Sequence, residues 1–239
     1  MKRVLRCVLS LILVSVLVVG LVPGVAASQA NIPFSVSTKT MIKDMSKYSI
    51  TVKVKSLDQR FGFRQSDVTT FKIKSKTQKG DEEVVKAVAN IDRKVASVKT
   101  TVTLKYRFVV NKWKLTSVKF SGTSIAKINL KGVWTGTFVA SQGKTRADVV
   151  IKRVTADGYI TNGVFSFSAT PTNPSVPSGS YTLKGGYDKK TGEVAFSGGE
   201  WIVQPEGYSM IEIHAWVDFA KKRIVSGSYN WSLDLRKVS

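Results

Sequence analysis

The chain is nearly free of cysteine and of histidine: among 239 residues there is one of each, Cys7 and His214. A lone thiol allows no intramolecular disulfide, and the pair supplies no thiolate or imidazole zinc set. Stability must therefore come from packing and hydrogen-bonded sheet. Acidic residues are scarce as well, with 16 Asp/Glu against 37 Lys/Arg and a formal net charge of +21. Only 6 prolines interrupt the chain, which leaves room for long strands. Several catalytic signatures are also missing. There is no Gly-x-Ser-x-Gly elbow beside His214, and no zinc, EF-hand, P-loop or dinucleotide-binding pattern in the right context. The expectation is a protein that binds rather than catalyses, with no cofactor and no metal. A hydrolase working through Glu193, Glu200, Glu206 or Glu212 is the enzymatic alternative.

The first residues carry an export signal. Lys2, Arg3 and Arg6 precede an apolar run from Cys7 to Val22, then Pro23-Gly24 and the small residues Ala26, Ala27 and Ala30. This order predicts a signal peptide over residues 1–30, cleaved after Ala27 or Ala30. An uncleaved anchor is the alternative, and it leaves the rest of the chain in the same compartment, secreted or at the cell surface. Cys7 sits inside the apolar run, not after it, which argues against a lipid-modified cysteine.

Charge divides the remainder. Asn31 to Leu130 holds 21 Lys/Arg against 7 Asp/Glu, whereas Lys131 to Ser239 holds 13 against 9. Two domains are expected, 31–130 and 131–239, the first strongly basic. In it, Ser37 or Thr38 is placed to cap a short helix bearing Met41, Ile42 and Met45 on one face. Period-two runs follow: Ile50, Val52 and Val54; Phe71 and Ile73; Val85, Ala87, Ala89 and Ile91; then Val102 to Val110 and Trp113 to Phe120. They predict a small α+β domain, a short helix on a curved antiparallel sheet with one apolar and one basic face. Strict alternation puts Lys53, Lys55, Lys72, Lys74, Lys76, Lys105 and Arg107 on the basic face, a candidate polyanion-binding site. The layout resembles small cystatin-like and NTF2-like domains of exported bacterial proteins.

The second half shows eight strand-like runs joined by hairpin-length turns such as Ala156-Asp157-Gly158 and Ala220-Lys221-Lys222. Eight runs in successive hairpins predict an antiparallel up-and-down β-barrel, which removes its own edges. Gly132-Val133-Trp134 resembles the opening of lipocalin and avidin barrels. Together with Asn173 to Tyr181, Tyr187-Asp188, Thr191-Gly192 and Glu200-Trp201, it also resembles an uncharacterised β-domain of exported bacterial proteins. That resemblance implies a modular bacterial domain and assigns no catalytic residue. In the run Met210 to Val217, Glu212, His214 and Trp216 share one side and Ile211, Ile213, Ala215 and Val217 the other. If the polar side points inward, those three line a small-ligand cavity; if the aliphatic side does, they face solvent.

The expected function is an extracytoplasmic adaptor. Its basic sheet face would meet an anionic cell-surface polymer or lipid headgroups, while the barrel makes a second contact with a small ligand or protein. A small-ligand-carrying barrel with a solvated basic domain is the rival. No nucleic-acid motif is present.

Overall fold

The computed structural model describes residues 32–227 and 231–239. The expected signal peptide, with Cys7, lies outside the described residues. Helix α1 (Thr38–Met45) starts at Ser37, whose hydroxyl accepts from the Thr40 amide at 3.1 Å and satisfies one of the orphan donors of the first turn. Met41 and Met45, one helical turn apart, are both fully buried. The chain then forms a hairpin of β1 (Ile50–Val54) and β2 (Leu57–Phe61), and a four-stranded antiparallel sheet of β3 (Val68–Lys79), β4 (Glu82–Asp92), β5 (Ala96–Val109) and β6 (Lys112–Ile128) in sequential order.

The hairpin is a sheet of its own, a correction to the single sheet that alternation suggested. β2 shows no apolar alternation because it buries only Phe61 fully and Gln59 partly. The four-stranded sheet lays Val85, Ala87, Ala89, Ile91, Val98, Val102 and Leu104 toward the core and α1. β6 is 17 residues long against 14 for β5, and the surplus is taken up at three register shifts along that pair. Each such bulge leaves a residue unpaired, sharpens the twist and curves the sheet around the helix.

The link Asn129-Leu130-Lys131 leads into the second part. Strands β7 (Gly132–Ala140), β8 (Gly143–Val154), β9 (Tyr159–Ser168), β10 (Gly179–Asp188), β11 (Glu193–Val203), β12 (Ile213–Asp218), β13 (Arg223–Gly227) and β14 (Ser232–Lys237) close into the expected eight-stranded antiparallel barrel. β14 returns to β7, with Leu235 opposite Gly136. A Cβ on Gly136 would meet the Asp234 carbonyl oxygen at 1.8 Å, so closure requires glycine there.

On β12, Ile213, Ala215 and Val217 are buried in the interior, while His214 is exposed, as is Glu212 just before the strand, and Trp216 is half-buried on the outer wall. This corrects the inward reading of Glu212, His214 and Trp216. Three aliphatic side chains gain by leaving water, whereas a carboxylate and an imidazole turned inward would lose their hydration with no partner to replace it.

One barrel end is sealed by the first part. Phe61 stacks on Phe219 at 5.1 Å between ring centres. The Gln59 amide donates to the Val217 carbonyl at 2.9 Å and accepts from the Phe219 amide at 3.0 Å, standing in for a neighbouring strand. Arg93, buried, donates from Nε to the Phe219 carbonyl at 3.1 Å and from Nη1 to Asp67 at 2.9 Å.

Candidate functional site

Two places collect chemistry: the outer face of the four-stranded sheet and the far mouth of the barrel. The sheet face is built by register. Residues directly opposite across an antiparallel ladder share a face, so the pairings define cross-strand rows. One row runs Lys72, Val88, Thr101, Ser121. The next runs Ser75, Lys86, Thr103, Lys119, and the one after it Thr77, Val84, Lys105, Ser117. Toward one end lie Arg107 and Lys114; toward the other, Lys99 opposite Ser124 and Lys127 opposite Ser97. Every lysine named in these rows is exposed. Rows are about 7 Å apart along the strands and neighbours within a row about 4.8 Å apart. The result is a staggered field of ammonium groups separated by Ser and Thr hydroxyls, with the half-buried Val84 and Val88 between them.

Among the described residues, the acidic groups on this face lie at the ends of β4. Arg107 pairs with Glu82 at 2.7 Å and with Asp81 at 3.5 Å, which neutralises that corner; Asp92 stands at the other. Lys72, Lys86, Lys99, Lys105, Lys114, Lys119 and Lys127 take part in no ion pair among the described residues. At the edge nearest the barrel, partial burial holds the Lys237 ammonium below its ordinary pKa, and the charges of Lys127 and Lys94 press it further down.

Of the seven residues expected on one basic face, three lie there: Lys72, Lys105 and Arg107. Lys74 falls at the β3 bulge, between Ile73 and Ser75. That bulge reverses the alternation, so Lys76 sits opposite Val85 on the helix side, its Nζ 4.9 Å from the Phe34 ring centre. There it faces Glu83, a buried carboxyl whose pKa is raised by desolvation and drawn back by the Lys76 charge. Lys53 belongs to the separate hairpin, opposite Asp58. Lys55, at positive φ in the hairpin turn, reaches the barrel wall: its Nζ lies 5.1 Å from the Trp216 ring centre and 3.8 Å from Glu193. Glu193 also faces His214 at 3.5 Å.

Sequence reasoning missed Lys86, Lys99, Lys114, Lys119 and Lys127. Lys86 was within reach, since it stands opposite the apolar set of β4. Those on β6 were not, because its bulges change the parity between Lys114 and Lys119.

The barrel mouth is lined by Phe138, Phe165, Phe167, Tyr181, Tyr208 and Ile211, with Ala140, Ser141, Gln142, Gly207 and Ser209 at its rim, and encloses about 520 Å³. Tyr181 stacks on Phe165 at 5.1 Å, and Phe167 on Tyr208 at 5.4 Å. The buried Tyr181 hydroxyl makes no hydrogen bond of full geometry among the described residues, and the polar group it meets is the Ile211 backbone. Desolvation pushes its pKa up to about 12, offset in part by the Ile211 backbone beside it. Glu200, Glu206 and Glu212 are exposed and form no ion pair among the described residues. No group of three or more metal-ligating side chains occurs among the described residues.

No protein-family model, curated protein or solved structure matches the chain.

Proposed function

We propose that the protein is an extracytoplasmic, non-catalytic binding protein that holds an extended anionic polymer on the outer face of its four-stranded sheet. The observation that carries this reading is the row pattern, in which successive rows offer an unpaired lysine on one strand or another across all four. A chain of phosphates or carboxylates laid over the face can meet a cation in each row while its intervening oxygens accept from Ser and Thr hydroxyls. A surface serving solubility alone mixes both signs of charge. Here the acidic groups sit at the ends of one strand.

The twisted, curved face and its spacing favour a flexible polymer over a flat bilayer. An isolated lysine would contribute little, because exposed charges are screened over about 8 Å at physiological ionic strength. Strand and row spacings of about 5 to 7 Å fall within that distance, so the fields of neighbouring lysines add.

The test uses the mature chain with polyphosphate and purified cell-wall polymer, alongside anionic and neutral liposomes, at several salt concentrations. Retention on the polymers that falls steeply with salt supports the reading. Retention indifferent to salt, or confined to anionic liposomes, overturns it.

A further inference from the structure

A second site, independent of the basic face, lies at the barrel mouth. We infer that it takes a neutral, flat, mostly apolar molecule carrying one hydrogen-bond-accepting oxygen, which is bonded by the hydroxyl of Tyr181.

Four observations define the ligand. The volume of about 520 Å³ is that of a small-molecule site and is too small for a folded partner. The walls are aromatic rings already arranged in two stacked pairs, Phe165 with Tyr181 and Phe167 with Tyr208, which suits a planar guest. No Asp, Glu, Lys or Arg lines the cavity among the described residues, so a charged guest would lose its hydration with nothing to replace it. Finally, a phenol hydroxyl is buried at the wall, its oxygen met only by the Ile211 backbone and its proton without an acceptor among the described residues. Such a group costs stability unless something bonds it, and a ligand acceptor is one way to recover that cost.

The hydroxyl oxygen is closed off from the cavity, and Ile211, which lines the cavity and whose backbone meets that oxygen, is the residue a guest must displace to reach it. Ile211 belongs to an irregular link between β11 and β12 that contains Pro205 and Gly207 at positive φ. Among the described residues no ladder hydrogen bond holds that wall, so it can yield to a guest at smaller cost than a strand would. The opposite rim is held, because Asn173 Nδ2 donates to the Gln142 carbonyl at 2.6 Å.

The experiment titrates the mature protein with two neutral fluorophores. 6-Propionyl-2-dimethylaminonaphthalene carries a carbonyl acceptor; N-phenyl-1-naphthylamine has a similar apolar area and none. Both are uncharged, so the lysine face does not attract them. The parent protein is expected to bind the carbonyl probe saturably, one per chain, with blue-shifted emission. Tyr181→Phe should weaken the carbonyl probe by about fivefold, the worth of one neutral hydrogen bond, and leave the naphthylamine unchanged. The same variant should melt close to the parent, since the hydroxyl proton bonds nothing in the fold and its oxygen meets only the Ile211 backbone. Ser209→Trp, a substitution at an exposed rim residue, should block both probes in a protein of unaltered circular dichroism. Absence of saturable binding by the parent overturns the site. Binding untouched by Ser209→Trp overturns its location, and equal weakening of both probes by Tyr181→Phe overturns the role of the hydroxyl.

Discussion

Lys72 and Lys76 stand four residues apart on one strand and face opposite sides of the sheet. The first points into solvent on the lysine field; the second covers Phe34 and faces Glu83. The bulge between Ile73 and Ser75 separates them. Replacing Lys72, Lys86, Lys105 and Lys119 with Gln should therefore reduce polyanion retention strongly and lower the salt slope of binding by about 3, at roughly 0.7 to 0.9 for each cation removed. Lys76→Gln should leave retention and slope unchanged. Affinity electrophoresis on polyphosphate at graded salt measures both, and equal effects of the two sets of substitutions would refute the assignment of faces.

Lys76 has a different consequence. Glu83 has its pKa raised in the fold, chiefly by desolvation. Its native form thus holds a proton more readily than its unfolded form, and stability falls as pH rises from the unfolded value through the raised one. Above that window the ionised carboxylate is a cost to the fold. Glu83→Gln should flatten the profile there and raise stability at neutral pH, whereas Lys76→Gln, which removes the opposing charge, should steepen it. Urea denaturation followed from the ordinary carboxyl range upward through neutral pH reports both slopes.

Gln59 couples the hairpin to the barrel through two backbone groups of the chain 158 and 160 residues away. Gln59→Ala leaves the Val217 carbonyl and the Phe219 amide without that partner, at a cost of about 1 to 3 kcal/mol. Arg93→Met leaves Asp67 without its ion-pair partner and should cost about 3 to 5 kcal/mol. Chemical denaturation should show both losses as shifts of the main unfolding transition of the mature chain. An unshifted barrel transition would mean that the two parts unfold independently.

Closure of the barrel should depend on Gly136. An alanine methyl there would overlap the Asp234 carbonyl oxygen, and relief requires β7 and β14 to part. Gly136→Ala is expected to yield insoluble protein or to lose about 3 kcal/mol or more, as read from soluble yield and thermal midpoint.

Export can be checked by intact mass. A mature chain beginning at Ser28 or Asn31 is expected, and a secreted species retaining Met1 would contradict cleavage.

Much of the architecture was present in local patterns. Alternation along eight runs, most of them joined by short turns, points to a barrel, because period two assigns the faces and hairpins make successive runs neighbours in space. The Ser37 cap and the Met41–Met45 stripe were equally local. Alternation also placed Lys72, Lys105 and Arg107 on the outer face, but tertiary structure decided the rest of the sites. Alternation holds only while two strands keep step, and whether a strand bulges depends on the length and curvature of its partner, so the β3 bulge sent Lys76 to the core side while the β6 bulges brought Lys114 and Lys119 onto one face. The mouth cavity draws Phe138, Phe165, Tyr181 and Tyr208 from three strands and a link far apart in the chain. Nothing in their local sequence distinguishes them from the residues that fill the core, since burial gives the same apolar signal whether a side chain meets its neighbours or borders a space.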